Sequence, residues 1–135
     1  MLLEKDRIDS RSLTTETMMT NHFEKLDVWK RGCQLAQDTY IVFQESRDYS
    51  YRDQMVRSSL SIPSNIAEGS DRGTPKEFIR FLNIASGSSA ELRTQAYIAG
   101  KLEIISKEQT QQIVPESREI SAIIQGLIRS IKATL

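Results

Sequence analysis

The sequence predicts an all-α protein, an antiparallel up-down-up-down four-helix bundle with a kinked second helix, from three observations. Apolar residues recur at alternating spacings of three and four in four successive segments. Capping residues and prolines mark the segment boundaries. No segment shows the strict apolar–polar alternation of a β-strand. The 135 residues suit a single domain. We predict a bundle over residues 23–135 and a flexible tail over residues 1–22, which are polar and without a sustained period.

The first helix is predicted to begin at Asp27, a good N-cap, and to end near Ser46. It carries two apolar stripes. The first has the spacing of a bundle seam and consists of Leu26, Trp29, Cys33, Ala36, Tyr40 and Phe43. The second repeats every seven residues and consists of Val28, Leu35 and Val42. A bundle buries one stripe, so the second stripe is either an oligomer interface or part of a wide core face. We assign the second stripe to an oligomer interface.

The second helix is predicted to open at Ser50 and to bend at Pro63. Proline has no backbone N–H, and its ring crowds the carbonyl four residues earlier, here that of Ser59. The apolar period nevertheless continues through Ile66, which favours a kink over a helix end. Gly69 is predicted to be a left-handed C-cap. The serines expected to satisfy the backbone groups that proline leaves free are Ser58, Ser59 and Ser61.

The third helix has the clearest start signal of the chain. Thr74 is an N-cap, Pro75 occupies the first helical position, and Glu77 is placed to reach back to the cap. In its middle, the segment Ala85–Ala90 contains only small side chains. Gly87 in this segment costs helix stability, about 1 kcal/mol relative to alanine. We expect close approach of another helix to compensate for this cost; a flexible hinge is the alternative.

The third helix is predicted to end near Glu103, and Ser106 with Gln109 forms a capping box for the fourth helix. Pro115 lies inside the apolar pattern, so we expect either a kink or a short first segment that ends near Ile113. The predicted core face of the fourth helix consists of Ile113, Ile120, Ile124, Leu127 and Ile131.

The residues for catalysis or for metal binding are sparse. His22 is the single histidine, whereas di-iron bundles require a Glu-x-x-His motif on each of two helices. Cys33 is the single cysteine and occupies a seam position, where a buried, inert thiol is expected. Glu68 and Glu91 are a weak candidate for a carboxylate pair, with hydrogen bonds to neighbouring polar groups as the more common outcome. We therefore predict no enzyme, no metal, no cofactor and no small-molecule substrate.

The chain has no apolar run of the ~18 residues that a membrane-spanning helix needs. Its one cysteine excludes an internal disulfide and fits a reducing compartment. We expect a cytoplasmic protein that does not enter a membrane.

The charges balance, with 18 basic and 18 acidic residues, so any basic surface must come from their distribution. An up-down-up-down bundle brings the start of the first helix, the second turn and the chain end to one pole. The candidate nucleic-acid contacts at this pole are Lys30, Arg31, Arg72, Lys76 and Arg80. In a ring of subunits their positive charge would add up on one face. The alternative is a solvated end in which acidic neighbours form salt bridges with them.

Four motifs that together cover most of the predicted bundle carry a family resemblance. They are Leu26-x-Val28-Trp29, the stretch Ser61–Gly69, the stretch Lys76–Leu82, and Ala85-x-Gly87-Ser88-x-Ala90-Glu91-Leu92-x-Thr94-Gln95. On these motifs, the chain resembles the small four-helix-bundle proteins encoded in intervening sequences of bacterial 23S rRNA genes. The accessory protein of diversity-generating retroelements, a basic pentamer that binds nucleic acid and a reverse transcriptase, is similar in fold to this family.

The resemblance implies a left-handed bundle that assembles into a ring-like homopentamer. Together with the residues, it leads to two functional hypotheses. In the first, a homo-oligomer binds the backbone of RNA or DNA through its basic pole. In the second, the oligomer is a scaffold for a protein partner and binds no nucleic acid.

Overall fold

The computed structural model describes residues 22–135, so the predicted tail lies outside the described residues except for His22. A short 3₁₀ helix, Phe23–Lys25, precedes the α-helices. These are α1 Asp27–Val42, α2 Tyr49–Asp71, α3 Pro75–Lys101 and α4 Lys107–Lys132. Residues 22–135 thus form four α-helices and no strand, which confirms the predicted all-α four-helix bundle.

Hydrogen bonds between side chains show how neighbouring helices run. Ser58 of α2 pairs with Gln95 of α3 at 2.7 Å, and Ser61 pairs with Ser88 at 2.8 Å. Residue numbers therefore rise along α2 while they fall along α3, so these two helices are antiparallel. The same order holds between α3 and α4, in the pairs Ser86–Gln125 and Tyr97–Arg118.

The starts of α3 and α4 follow the predicted capping chemistry. The Thr74 hydroxyl accepts a hydrogen bond from the Glu77 backbone N–H at 3.2 Å, and Pro75 is the first helical residue. Ser106 and Gln109 form both bonds of a capping box, at 3.0 and 2.8 Å. One detail is wrong, because the Glu77 carboxylate accepts a hydrogen bond from the guanidinium of the residue three positions later instead of reaching back to the cap.

Helix α1 starts one residue earlier than the predicted cap implies and ends earlier than predicted. Leu26 occupies the N-cap position without a side-chain cap, and Asp27 is the first helical residue rather than the cap. The helix ends at Val42, before the predicted end near Ser46, because the following N–H groups bond to carbonyls three residues back, as in a 3₁₀ turn.

Helix α2 starts before the predicted Ser50 position, because Asp48 provides the cap. Its carboxylate accepts a hydrogen bond from the Tyr51 backbone N–H at 3.2 Å. Aspartate and serine are comparable N-cap residues, so their order along the chain did not indicate which of them caps the helix.

Gly69 was predicted to be a left-handed C-cap, and this prediction is wrong. Helix α2 continues to Asp71, and the glycine with positive φ is Gly73, at 85°. Gly69 is helical and buried, and a Cβ atom at this position would lie 2.6 Å from the Cβ of Phe81. The absent side chain therefore serves the close approach of α3 to α2.

Both internal prolines lie within continuous helices. Helix α4 runs through Pro115, so the predicted short segment ending near Ile113 is wrong, while the kinks remain predictions. Pro63 is buried, and its ring lies 3.4 Å from where a Cβ of Gly32 would be. The neighbouring serines bond elsewhere than expected: Ser58 Oγ donates to Gln95 Oε1, Ser59 Oγ donates to Val56 O, and Ser61 Oγ pairs with Ser88 Oγ.

The core lies along the inward faces of all four helices. The predicted core face of α4 is buried as expected, at Ile113, Ile120, Ile124, Leu127 and Ile131. Two buried serines join it: Ser89 Oγ of α3 donates to the Ser117 carbonyl of α4 at 2.7 Å. Among the described residues, every buried side-chain nitrogen or oxygen has a hydrogen-bond partner. The core therefore includes polar groups without leaving them unsatisfied.

The close approach predicted at Gly87 does not occur within the chain. Gly87 is not in the core, and no atom lies within 4 Å of where its Cβ would be. The neighbouring serines face α2 and α4 and bond to them, whereas Gly87 points outward between them.

Replacing each of these two glycines by alanine should have opposite effects on stability. Gly69→Ala should lower the free energy of unfolding by about 1–3 kcal/mol, because the new methyl group overlaps Phe81. Gly87→Ala should raise that of the single chain by up to about 1 kcal/mol, because alanine favours the helix and no atom of the same chain obstructs it. Urea unfolding followed by circular dichroism measures both values. Equal effects at the two positions would contradict a steric requirement at Gly69.

Candidate functional site

The buried face of α1 takes residues from both predicted stripes: Leu26, Ala36 and Phe43 of the first are buried, as are Val28 and Leu35 of the second. Val28 and Leu35, assigned to an oligomer interface, are 0% and 1% exposed within the single chain. Val42, from the same stripe, is half-buried against the core. The interface assignment is wrong for Val28 and Leu35, because the chain's own helices cover these two side chains, and it stays a prediction for Val42. Tyr40, assigned to the core seam, is instead 57% exposed.

The buried face of α1 also contains two residues that are missed when only apolar residues are considered. Gly32 and Thr39 are buried, and they complete a 4-3-4 spacing with Val28 and Leu35. Thr39 is compatible with the core because its hydroxyl donates to the Leu35 carbonyl at 2.7 Å. Gly32 packs against Pro63 of α2, whose ring lies 3.4 Å from where a Cβ of Gly32 would be. Their regular spacing of three and four residues could have indicated that they are buried, but neither residue is a large hydrophobe.

Three residues of the first stripe, Cys33, Ala36 and Tyr40, line an apolar groove between α1 and α2 with a volume of about 480 Å³. We call it the α1–α2 groove, and its lining residues are Cys33, Ala36, Gln37, Tyr40, Ile41, Val56, Leu60 and Pro63. Three of these side chains are more than half exposed: Tyr40 at 57%, Ile41 at 60% and Leu60 at 51%. Exposed apolar surface of this kind typically marks a site of interaction with another molecule.

Cys33 lies on the wall of this groove and is half-buried. Burial raises the pKa of its thiol, because desolvation disfavours the thiolate. The thiol form dominates at neutral pH, which is the opposite of what a nucleophilic cysteine requires.

The second candidate surface is built around Phe81, near the turn between α2 and α3. The guanidinium of Arg80 lies 4.5 Å from the centre of the Phe81 ring, and that of Arg72 lies 5.1 Å from it. Both are within cation–π distance. Arg72 also pairs with Glu68 at 2.9 Å, and Arg80 pairs with Glu77 at 3.0 Å. The Phe81 ring thus brings together Arg72 and Arg80, two of the residues predicted to contact nucleic acid.

Lys76 lies in the first turn of α3, between the two arginines in sequence, and is exposed. The structure gives it no ion-pair partner among residues 22–135. The amino-terminal end of a helix carries partial positive charge, so Lys76 adds to a field that favours anions. We call Arg72, Lys76, Arg80 and Phe81 together the Phe81 cluster.

Arg31 does not share in this cluster. Its guanidinium donates to Glu116 and to Glu119, both in the first half of α4, and the Glu119 bond is 3.2 Å long. The hydrogen bond with Glu116 raises the pKa of Arg31, and the hydrogen bond from Arg31 lowers the pKa of Glu119. Arg31 therefore ties α1 to α4 rather than contributing to a free basic surface. Lys30, also predicted as a contact, is half-buried.

The weak candidate for a carboxylate pair is not assembled. Glu68 accepts from Arg72, whereas Glu91 accepts from Gln95 at 3.4 Å, so the two carboxylates have different partners. Within residues 22–135, no three or more His, Cys, Asp or Glu side chains are grouped so that they could hold a metal ion. No helix in this part of the chain combines the length and apolarity required to cross a membrane.

Comparison with known proteins agrees with this architecture. The sequence model of the family described as 23S rRNA-intervening sequence protein matches residues 24–126. A crystal structure of a protein of unknown function from the S23 ribosomal protein family, from Bacteroides thetaiotaomicron, superposes with a TM-score of 0.70 at 27% sequence identity. The match covers 75% of this chain and 97% of that chain. A comparison with curated proteins gave no match.

The ion pair between Arg31 and Glu119 should make stability depend on pH. Because the folded-state pKa of Glu119 is lowered, its contribution is fully present above the unfolded-state value of about 4.3 and is lost at lower pH. Glu119→Gln should therefore be less stable than the parent chain near neutral pH, and this difference should shrink in acid. Urea midpoints across the pH range measure it.

Glu45→Gln is the matched control, because Glu45 is an exposed glutamate without an ion-pair partner in the described part of the chain. A difference from the parent that is the same for both variants at every pH would contradict a role of Arg31 in holding Glu119.

Proposed function

The chain belongs to the 23S rRNA-intervening sequence protein family, and on that premise we propose that it is a non-enzymatic homo-oligomer, expected to be a pentamer. The observation that carries this proposal is the α1–α2 groove, where Tyr40, Ile41 and Leu60 expose more than half of their side-chain surface. Covering such side chains removes apolar area from water, which stabilises the assembly by about 25 cal/mol for each Å² that is buried. Assembly of identical chains is the simplest way to cover them.

The non-enzymatic part of the proposal rests on the chemistry of the two surfaces. The α1–α2 groove holds a thiol, Cys33, but no histidine or carboxylate among its lining residues that could act as its base. In the Phe81 cluster, Arg72 and Arg80 pair with Glu68 and Glu77, and the Lys76 amine is exposed rather than desolvated as a nucleophilic lysine requires. Both surfaces are suited to binding rather than to bond-breaking.

Two leucine substitutions separate assembly from folding. Leu60→Asp should leave the helices intact and shift the mass measured by light scattering towards that of one chain, because Leu60 is 51% exposed in the groove. Leu35→Asp should instead unfold the chain, lowering its stability by about 3 kcal/mol or more, because Leu35 lies in the core. Circular dichroism distinguishes the two effects. An unchanged mass for Leu60→Asp would remove the groove from the assembly.

We propose as a second function that the oligomer binds the phosphate backbone of RNA or DNA through the Phe81 cluster. The favouring observation is that Arg72 and Arg80 converge on one ring beside Lys76 at the start of α3. Arginine and lysine side chains and helix amino-terminal ends are the groups that contact phosphates in nucleic-acid complexes. In a ring, copies of the cluster would lie around one face and act together.

The carboxylate partners use only some of the N–H donors of the two arginines. Arg72 uses its Nη2 group for Glu68, and Arg80 uses its Nε group for Glu77. A guanidinium has five N–H donors, so each arginine keeps donors for a phosphate oxygen. The acidic neighbours reduce the net charge, and we therefore expect weak binding without sequence preference, supported mainly by counterion release.

Filter binding of structured RNA at about 50 and about 200 mM salt tests this function. The parent protein should retain RNA at low salt and release it at higher salt. Replacing Arg72, Lys76 and Arg80 by alanine should weaken binding and flatten its salt dependence, by about 0.9 in the log–log slope for each phosphate that is no longer neutralised. Arg118→Ala is the control, because Arg118 is bonded to Tyr97 elsewhere on the bundle.

Retention that is absent, or that does not respond to salt, would favour the alternative function of a protein scaffold. In that case, partners recovered with the protein should survive nuclease treatment. The assembly proposal stands in either case, because it rests on the groove and not on the Phe81 cluster.

A further inference from the structure

We propose that the α1–α2 groove is filled by the outer face of α3 from a second copy of this chain, in a head-to-tail contact. This inference rests on the proposed self-assembly and adds to it which two surfaces meet. It is carried by a second exposed apolar surface, by the shape of that surface, and by a pair of opposite charges.

The second surface lies on the outward side of α3. Ile84 and Ile98 are 41% and 45% exposed, and together with Glu91 they are spaced by seven residues, which places all three on one side of the helix. Gly87 lies on the same side, without any atom within 4 Å of its Cβ position. We call these four residues the α3 ridge. The glycine lets another backbone approach closely at the centre of the ridge.

A groove and a ridge on different helices of one chain favour a heterologous contact. A groove-to-groove contact would be two-fold symmetric and would leave the ridges of both chains uncovered. A groove-to-ridge contact covers both surfaces and can repeat, so that it closes into a ring when the rotation allows. The binding of a helix in an apolar groove, with anchors at intervals of seven residues, is a common mode of recognition.

The charges at the two surfaces are opposite. The groove continues into a depression lined by Tyr40, Val56, Leu60 and Arg57 among others. Arg57 is exposed and has no ion-pair partner among residues 22–135. The α3 ridge carries the exposed Glu91, and the structure gives this carboxylate a long hydrogen bond from an amide but, within the same residues, no ion pair. Seating the ridge in the groove would bring a cation without an ion pair to an anion without one.

Charge reversal in the full-length chain, read by light scattering over a dilution series, tests the contact. Arg57→Glu and Glu91→Arg should each raise the apparent dissociation constant by about tenfold or more, because each brings like charges together. The double variant should restore association. Lys107→Glu, an exposed reversal at the start of α4, is the control and should leave the dissociation constant unchanged.

Mixing the two single variants distinguishes contact between chains from contact within one chain. The mixture should associate more tightly than either variant alone, because the altered groove of Arg57→Glu then meets the altered ridge of Glu91→Arg, and the two unaltered surfaces also meet. Single variants that assemble as the parent does, or a double variant and a mixture that both fail to recover, would overturn the inference while leaving self-assembly intact. A parent chain that is monomeric would overturn both proposals.

Discussion

The contact between Gly69 and Phe81 is the constraint on which the candidate binding surface depends. A Cβ at Gly69 would lie 2.6 Å from the Phe81 Cβ, so α2 and α3 can pack this closely only without a side chain there. This packing leaves Phe81 6% exposed, with Arg72 and Arg80 over its ring. The positions of both guanidinium groups therefore depend on a buried glycine that carries no functional group.

Hydroxyl groups provide a second kind of cohesion between the helices. Ser61, Ser88 and Ser89 are small enough for close packing and bond across to the neighbouring helices. Their bonds satisfy polar groups that would otherwise cost free energy on burial. Helix α1 is held differently. It packs at Gly32 against Pro63 of α2, and its Arg31 donates hydrogen bonds to the Glu116 carboxylate of α4. On the outer side of α1, Tyr40 and Ile41 remain exposed.

The chain belongs to the 23S rRNA-intervening sequence protein family, and the described part of its structure presents two candidate surfaces. The α1–α2 groove and the Phe81 cluster involve different residues and different physical forces, apolar burial in one and charge in the other. Assembly would connect them, because it would repeat a weak basic surface several times within one particle. Binding by many weak contacts needs no strong site in any single chain.

The sequence by itself determined the helices and the caps at Thr74 and Ser106, because these follow from periodicity and from hydrogen bonding between residues three positions apart. It could not determine that the buried face of α1 includes Gly32 and Thr39 while Tyr40 stays exposed, since neither buried residue is a large hydrophobe and the outcome depends on how α1 packs against the other helices. The partners of Arg31 were equally hidden, because they lie 85 and 88 residues away in α4. Interactions between residues close in the sequence determine where the helices form. Which faces of the helices stay exposed is determined only when the helices pack against one another.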